Sequence, residues 1–388
     1  MSNPRRRPAL YYVDHTSRFA RNSGIQRCVR SLARALIEAG QPLIPVIWNR
    51  RSQRLASAGP AALHHLARWN GPTANSWSTW TRGADDPRWL LVPELVRGAS
   101  NPSRRQLLDA CRPLQLRDAW LFHDAIPLHQ ASLYGPAAER VASDHGRYMA
   151  ALGEATLVFC NSRHSRGELS RFLQTQQRTP TAQLRSLILA DQFGSERAAP
   201  PPARRRGEPL KMLCVSTLEP RKNHKGLVKA LAWLHSQAGN PWRMTLVGWP
   251  AEPAIRDLIE RGQRIGLPLH WVDHVDDDAL LTLYRDADLT VFPSLEEGFG
   301  LPVAESLWQR RPCLCSGEGA LGERAAGGGC ETVNTRRWQA LAQGLDTLLN
   351  KPERRLALQQ QLERRRFRSW TDVAEEMLDT IERVAPAS

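Results

Sequence analysis

Two glutamates frame a glycine-containing segment in the second half of the chain. Glu297 precedes Gly298 and Gly300, and Glu305 follows them. The glycines permit backbone conformations and close approaches that a side chain would prevent, and Pro302 falls near the first turn of an expected helix, where proline is tolerated. Free amides at that helix start could hold a phosphate oxygen, and the carboxylates could accept hydrogen bonds from sugar and ribose hydroxyls. The arrangement suits a nucleotide sugar, and the alternative is an ordinary strand–turn–helix with two exposed glutamates.

A basic stretch, CVSTLEPRKNH, occupies positions 214–224 of the same half. Its Arg221 and Lys222 can neutralise a diphosphate and stabilise the negative charge that grows on it when a glycosidic bond breaks. A basic loop after a strand is common and does not by itself indicate a function. It would indicate diphosphate binding if it lay opposite the acidic segment. We therefore predict that Arg221 and Lys222 face the acid-flanked glycine segment across a gap, and that the two regions enclose a pyrophosphate.

The acidic segment, FPSLEEGFGLPVAE at 292–305, resembles the E-x7-E signature of retaining glycosyltransferases of the GT-B fold, in particular family 4. The resemblance implies an α/β protein of two Rossmann-like domains with a deep interdomain cleft. It also implies that Glu297 binds hydroxyls of the donor sugar and that Glu305 binds the ribose. The implied backbone contacts to the sugar and the distal phosphate come from Gly298, Phe299, Gly300 and Leu301.

The basic stretch resembles the same family in its own way. Its sequence EPRKN is similar to that of members that transfer mannose or rhamnose in surface polysaccharide synthesis. The family's phosphate-binding lysine corresponds to Lys222. The family's usual partner arginine, just after the strand, is replaced here by Thr217. The resemblance therefore leaves Arg221 as the candidate for that role.

Three segments of the first half are similar to further parts of the family. Gly24 opens a helix after the first strand and resembles a GI-x-R turn, so its amide could reach a phosphate; a simple helix cap is the alternative. His123 and Asp124 follow a strand and resemble the family's HD-x-x-P loop. We expect His123 to position the donor sugar or assist proton movement, with Asp124 orienting it, although a purely structural histidine is the competing interpretation. Asn161 and Arg163 resemble a turn after the next strand, and both are expected, together with Asp124, on the acceptor side.

Three consecutive aspartates at 276–278 contain a D-x-D pattern, which in another class of glycosyltransferases holds a metal with the nucleotide. Here they directly precede a helical run, and acidic residues at a helix start satisfy free amides and the helix dipole. We therefore predict helix capping, no metal and no cofactor. By resemblance, the backbone around 272–275 is expected to lie near the nucleobase.

Short apolar runs alternate with longer amphipathic stretches, which is typical of an α/β protein with parallel sheets. A proline- and arginine-rich stretch, 194–209, predicts a linker between a first domain, 1–193, and a second domain, 210–369. A last helix, 370–388, is expected to pack back on the first domain. The predicted strands are 9–13, 43–48, 89–92, 119–123, 156–160, 184–189, 211–216, 243–247, 269–272, 289–292 and 313–316.

The composition fits a globular enzyme with an anionic partner. The 388 residues are 41% hydrophobic and 24% charged, and the formal net charge is +14. Nucleotide diphosphates, an acidic membrane surface and nucleic acid would all match this charge, but no zinc spacing or helix-turn-helix pattern supports the last. The seven cysteines show no CxxC spacing, so neither a zinc site nor a disulfide framework is indicated. Without a leader-like or membrane-spanning run, we expect a cytoplasmic protein, with peripheral contact to the inner face of the cytoplasmic membrane left open.

The residues and the family resemblance together predict a metal-independent glycosyltransferase, and the resemblance implies that the transfer retains the anomeric configuration. The favoured transfer moves mannose or rhamnose from a nucleoside diphosphate sugar, preferably a GDP-sugar, to a glycan or polyprenyl-diphosphate-linked acceptor in surface polysaccharide synthesis, lipopolysaccharide included. His123, Lys222 and Glu297 are the candidate catalytic residues. The alternatives are a nucleotide-sugar epimerase of the same fold, a glycosyl phosphorylase of similar fold with a bound pyridoxal phosphate, and a basic nucleic-acid-binding protein.

Overall fold

The computed structural model describes residues 6–19, 22–79, 86–98, 101–110, 114–176, 180–201, 207–237, 239 and 241–384. These residues form two compact units. The first contains the described residues up to Ala190 together with those from Ser369 onward, and the second runs from Asp191 to Arg368.

In the first unit, strands and helices alternate along the chain. The strands are β1 (Ala9–Tyr12), β2 (Leu43–Asn49), β3 (Arg54–Ser57), β4 (Trp89–Val92), β5 (Arg117–Phe122), β6 (Leu157–Cys160) and β7 (Gln183–Ser186). The helices are α1 (Gly24–Glu38), α2 (Pro60–Leu66), α3 (Arg104–Ala110), α4 (Ile126–His129), α5 (Ala138–Leu152), α6 (Arg163–Gln174) and, at the end of the chain, α14 (Trp370–Val384).

The strands of the first unit form one sheet in the order β3-β2-β1-β4-β5-β6-β7. All neighbours are parallel except β2 and β3, which pair antiparallel at one edge. The central strands β1 and β4 are buried along their whole length, as expected for a parallel sheet covered by helices on both faces. The last helix, α14, packs against α1 through an apolar face that includes Val373, Met377 and Ile381.

The second unit repeats this plan. Its strands are β8 (Leu210–Val215), β9 (Trp242–Val247), β10 (Leu269–Val272), β11 (Leu289–Phe292), β12 (Cys313–Ser316) and β13 (Cys330–Val333). Its helices are α7 (His224–Ser236), α8 (Pro253–Arg264), α9 (Asp277–Asp286), α10 (Leu301–Trp308), α11 (Gly319–Ala325), α12 (Trp338–Asn350) and α13 (Pro352–Arg364).

The sheet of the second unit has the order β10-β9-β8-β11-β12-β13, and all of its neighbouring strands are parallel. Counted along the unit, this is the 3-2-1-4-5-6 order of a doubly wound Rossmann-like sheet. The order reverses between β8 and β11, whose carboxyl ends therefore lie side by side. In open α/β sheets this reversal point is where ligands bind.

The predicted α/β class with two Rossmann-like halves is confirmed, although individual elements differ. The prediction missed β3 and β13. Both are short edge strands with polar, partly exposed side chains, so neither produces an apolar run. The tail contains three helices, α12, α13 and α14, with a non-helical stretch at 365–369.

The predicted linker falls partly on residues 202–206, which lie outside the described residues. Its described amino-terminal part contacts the second unit, since the Ala198 amide donates to Gln309 Oε1 over 3.2 Å. The Arg197 guanidinium also lies 4.1 Å from the centre of the Phe367 ring. Residues 197–198 thus pack as part of the second unit.

Candidate functional site

The two motifs of the second half follow the adjacent strands β8 and β11. After β8, residues 216–219 lead into a 3-10 helix, Pro220–Lys222, and α7 then begins at His224. Asn223 takes the left-handed conformation and caps α7 by accepting a hydrogen bond from the Gly226 amide over 3.1 Å. Because the strands are neighbours, the loop after β8 lies beside the loop after β11.

Charged side chains bring these two loops into direct contact. The Lys222 Nζ atom lies 2.6 Å from Glu297 Oε1, and Arg221 Nη1 lies 2.7 Å from Glu297 Oε2. Arg221 also donates to the Glu296 carbonyl over 2.9 Å and to Glu219 Oε1 over 2.7 Å. The expectation of a gap between the regions is therefore wrong: both belong to one unit, and the Glu297 carboxylate contacts both cations.

The environment keeps this ion-pair cluster of Arg221, Lys222 and Glu297 charged. Burial raises the pKa of Glu297, but the adjacent Arg221 and Lys222 outweigh it and hold the pKa at about 2. Burial and the positive charge of Arg221 lower the pKa of Lys222, whereas Glu297 opposes the shift. The Lys222 ammonium also lies 5.1 Å from the centre of the Phe292 ring, a cation–π contact. Removing Glu297 would thus leave two partly buried cations with less compensation.

The glycine segment has the conformation that its sequence requires. Gly300 has a φ of 89° and caps α10, which begins at Leu301 with Pro302 in its first turn. The positive φ angle favours glycine at position 300, and a Cβ atom there would lie 2.5 Å from Leu321 Cδ2, so the buried Leu321 side chain would have to shift. Gly298 and Phe299, which precede this turn, are buried. The start of α10 therefore presents its first amides next to the ion-pair cluster.

Glu305 is buried in α10, with 5% of its surface exposed. Its Oε2 atom accepts a hydrogen bond of 2.9 Å from the Tyr284 hydroxyl, and Tyr284 is itself buried. The structure thus fixes the Glu305 carboxylate from one side. Its role towards a ribose remains a prediction.

A set of side-chain contacts behind the glycine segment was not predicted from the sequence. The Arg324 guanidinium lies 4.6 Å from the centre of the Phe299 ring, and Arg324 Nη1 lies 3.5 Å from Asp191 Oδ1. Asp191 Oδ2 also accepts a hydrogen bond of 3.0 Å from the Arg368 amide. No motif marks these residues, because they meet only after folding.

Asp276 caps α9, as predicted. Its Oδ1 atom accepts a hydrogen bond of 2.8 Å from the Ala279 amide, and Asp277 and Asp278 lie in the first turn of the helix. The D-x-D pattern is thus explained by helix capping.

In the first unit, Gly24 begins α1, as predicted, and Glu94 braces the loop before it. Glu94 follows β4 after one intervening residue, Pro93, and accepts hydrogen bonds from the His15 and Thr16 amides over 2.9 Å and 2.5 Å. Burial raises the pKa of Glu94 to about 7 against the opposing effect of these hydrogen bonds. Glu94 was not predicted from the sequence, although a glutamate just beyond an apolar strand run was a usable signal.

His123 follows β5 and is buried, and its Nε2 atom lies 2.8 Å from the Pro93 carbonyl oxygen. Burial lowers the pKa of His123, which favours the neutral ring. The Asp124 Oδ1 atom accepts a hydrogen bond of 3.1 Å from the Ile126 amide and so supports α4, while the negative charge of Asp124 raises the pKa of His123 against the effect of burial. The Pro93 carbonyl thus fixes the His123 ring, and the orienting role of Asp124 remains a prediction.

The turn after β6 lies beside His123. Ser165 Oγ donates to the His123 carbonyl over 3.0 Å, and Asn161, which ends the strand, is buried. Arg163 is exposed at the start of α6, and Ser162 caps that helix through the Ser165 amide. The structure brings these predicted residues together, and their roles towards donor and acceptor remain predictions.

Among the described helices, none combines the length and apolarity needed to span a membrane.

Comparison with known proteins supports the predicted resemblance. Residues 196–365 match the family model of glycosyl transferases group 1. Among curated relatives, the O-antigen chain mannosyltransferase B of Escherichia coli is 35% identical over 113 residues, which cover 29% of each chain. A GDP-mannose-dependent alpha-(1-6)-phosphatidylinositol dimannoside mannosyltransferase of Mycobacterium tuberculosis is 31% identical over 180 residues, covering 45% of this chain and 44% of that protein. The matched regions thus span less than half of the length of these relatives.

Two solved structures share the fold over nearly the whole chain. Sucrose-phosphate synthase from Thermosynechococcus elongatus superimposes with a TM-score of 0.71 at 18% identity, covering 99% of this chain and all (100%) of the other. Anabaena HepE, in complex with UDP and glucose, superimposes with a TM-score of 0.62 at 15% identity, with coverages of 97% and 100%. The fold is GT-B, as the motif resemblance implied, and the match to the glycosyl transferases group 1 model lies in the second unit.

Proposed function

We propose that the protein is a retaining glycosyltransferase that moves mannose or rhamnose from a nucleoside diphosphate sugar to a glycan or lipid-linked acceptor in surface polysaccharide synthesis. The observation that carries this proposal is the ion-pair cluster of Arg221, Lys222 and Glu297 at the reversal point of the second sheet. The group 1 match over 196–365 and the O-antigen mannosyltransferase relative support it.

The cluster suits a diphosphate leaving group. Two cations share the Glu297 carboxylate, and Arg221 also contacts Glu219, so both cations are positioned before any ligand arrives. Negative charge grows on the diphosphate as the bond to the sugar breaks. Lys222 and Arg221 would stabilise that charge without reorganising, and more strongly than water could because the site is largely buried. The amides at the start of α10 would add further donors.

Glu297 is suited to holding the sugar rather than attacking it. With its pKa held at about 2, its carboxylate stays ionised and can accept hydrogen bonds from sugar hydroxyls. We propose that the acceptor oxygen attacks the anomeric carbon on the face from which the diphosphate leaves. The acceptor's proton would pass to the leaving phosphate oxygen, so that one C–O bond forms as the other breaks and the configuration is retained.

The first unit would supply the remaining groups. The neutral His123 ring, fixed by the Pro93 carbonyl, would position the donor sugar, and the Gly24 amide would approach a phosphate. Asn161 and Arg163 would meet the acceptor. We propose a GDP-sugar as the donor, no requirement for a metal or cofactor, and a polyprenyl-diphosphate-linked glycan as one acceptor class. Such an acceptor would draw the basic chain to an anionic membrane surface.

The first test is thermal stabilisation by a panel of GDP-mannose, GDP-rhamnose, UDP-glucose and the free nucleotides. A ligand that binds only the folded state raises the melting temperature, so we expect a GDP-sugar to give the largest shift. The stabilising donor is then incubated with and without a mannosylated oligosaccharide, in the presence of EDTA. We expect GDP release and an α-linked product that depend on the oligosaccharide.

Other outcomes separate the alternatives. An altered donor sugar in the absence of any acceptor would favour an epimerase. Salt-sensitive binding to nucleic acid, with no response to any nucleotide sugar, would overturn the proposal in favour of a nucleic-acid-binding protein.

A further inference from the structure

Three cysteine thiols of the second unit lie together on one face of its sheet. Cys313 and Cys315 are two positions apart in β12, so both side chains point to the same side. Cys330 in β13 lies directly opposite Cys313 in the strand register. Cys313 Sγ donates a weak hydrogen bond to the Leu314 carbonyl over 3.6 Å, and the neighbouring thiols affect one another's pKa. We call these three residues the thiol cluster.

The thiol cluster reaches a cavity through one member only. Cys313 and Cys315 are fully buried, whereas Cys330 is 8% exposed and lines a cavity of about 570 Å³. Gly327, Gly328, Gln361 and Arg354 form other parts of the lining. A small polar molecule in this cavity would therefore meet Cys330 before either of the other two cysteines.

Positive charge lies close to Cys330. The Arg324 and Arg365 guanidiniums lie 3.5 Å and 3.8 Å from the same Asp191 carboxylate oxygen, so these two cations share one carboxylate. Within the described part of the chain, the buried Nε atom of each arginine has no hydrogen-bond partner. The local excess of positive charge would be compensated by a thiolate nearby.

The thiols respond differently to these surroundings. Hydrogen bonds from Cys313 and Cys315, aided by Arg365 and Arg324, lower the pKa of Cys330 despite its burial. Burial is the main cause that raises the pKa of Cys313. Cys160 and Cys214 lie in other strands, and burial raises the pKa of each to about 12 although the positive charges of Arg166 and Lys222 oppose the shift. A buried cysteine ordinarily behaves as a small apolar side chain, and Cys330 departs from that behaviour.

We infer that Cys330 is a modification site, a reactive thiolate that hydrogen peroxide and small electrophiles attack from the cavity, with Cys313 or Cys315 as the resolving thiol. This inference is independent of the proposed glycosyl transfer. In the first step the Cys330 sulfur attacks one peroxide oxygen, the O–O bond breaks and hydroxide leaves, so that the sulfur is oxidised to a sulfenic acid. In the second step a neighbouring thiol attacks that sulfur, the S–O bond breaks, and water leaves as a disulfide forms.

Such a disulfide would lie close to the glycine segment around Gly300. Val303 and Leu307 of α10 pack in the same apolar cluster as the three cysteines, as does Leu321, whose side chain fills the space beside Gly300. A covalent link between β12 and β13 would therefore form directly beneath the helix that begins at the glycine segment.

The test labels the folded, full-length protein with iodoacetamide between pH 5 and 9 and follows each cysteine by peptide mass spectrometry. Cys330 lies in the tryptic peptide 325–336, and Cys313 and Cys315 lie together in 311–324, so they are read separately. We expect Cys330 to react at least about tenfold faster than Cys160 and Cys214 at pH 7, because only the thiolate is nucleophilic. Its rate should reach half of its maximum well below the ordinary thiol pKa of about 8.5.

A second sample is treated with hydrogen peroxide before digestion. We expect a disulfide that joins peptides 311–324 and 325–336, and Cys313→Ser and Cys315→Ser identify which thiol forms it. Equal labelling of Cys330, Cys160 and Cys214, or labelling only after denaturation, would overturn the inference. The test uses the wild-type protein for its main readout, so it does not depend on whether a cysteine variant folds.

Discussion

Lys222 and Glu297 are separated by 75 positions in the chain, yet their charged atoms lie 2.6 Å apart. The contact exists because β8 pairs with β11 although two strands intervene in sequence. Each residue lies in the loop that follows its strand, at the edge where doubly wound sheets bind ligands. The pair therefore joins the basic and acidic motifs into one site.

Replacing Glu297 with glutamine should weaken both folding and transfer. Glutamine keeps the shape but removes the charge that compensates Lys222 and Arg221. Breaking a buried ion pair costs about 3–5 kcal/mol, so we expect a clear fall in the free energy of unfolding in urea. We also expect the transfer rate, measured as acceptor-dependent nucleotide release, to fall by about 100-fold or more.

Glu260→Gln is the matched control. Glu260 is exposed on α8, where it lies 3.7 Å from Arg256, and this variant should change neither quantity appreciably. Near-normal turnover by Glu297→Gln in a folded protein would remove Glu297 from the mechanism.

The raised pKa of Glu94 predicts a specific pH dependence. Because the folded-state pKa is about 7, above the ordinary value of 4.5, the folded protein retains a proton that the unfolded chain loses in this range. The resulting contribution to stability is fully present below about pH 4.5 and is lost as the pH rises through 7. Over these pH values the loss amounts to about 3 kcal/mol.

Glu94→Gln should remove this contribution, because glutamine does not titrate. We expect the free energy of unfolding of the wild type to fall more between pH 5 and pH 7.5 than that of Glu94→Gln. Comparison of the two proteins cancels the histidines that titrate in the same range. Parallel curves for the two proteins would contradict the raised pKa.

The site was predictable where function depends on local sequence. The glycine conformation at Gly300, the helix start after it and the cap at Asp276 each follow from residue types within a few positions. The direct contact between Lys222 and Glu297 was not predictable, since it depends on which strands pair. The same applies to Arg324 and Asp191, whose roles arise only from tertiary packing.

Gly300→Ala should destabilise the protein more than the same change at Gly266. The two glycines have nearly equal φ angles, 89° and 86°, so alanine suffers a similar backbone penalty at both, about 1–2 kcal/mol. At Gly266 the new methyl group has no neighbour within 4 Å, but at Gly300 it lies 2.5 Å from Leu321 Cδ2. Overpacking in a buried region adds about 1–3 kcal/mol.

Urea unfolding of the two variants measures this difference directly. Gly300→Ala should also weaken stabilisation by the donor nucleotide sugar, since the first turn of α10 would shift, whereas Gly266→Ala should bind it normally. Equal destabilisation of the two variants would mean that Leu321 yields without cost.

Asp191→Asn should weaken the contacts that support the glycine segment through Arg324 and Phe299. The Asp191 carboxylate is buried, accepts the Arg368 amide and compensates Arg324, whose guanidinium covers the Phe299 ring. Asparagine would leave Arg324 and Arg365 without the carboxylate that they share, which in a buried site costs about 3–5 kcal/mol. Asp286→Asn is the control, because Asp286 is exposed and pairs with Lys211 at the surface, where ion pairs contribute about 0–1 kcal/mol.

If Asp191 positions the loop through Arg324, the concentration of donor sugar needed for half-maximal stabilisation should rise in Asp191→Asn even at temperatures where the variant is fully folded. A loss of stability with unchanged donor affinity would instead assign Asp191 to the fold alone.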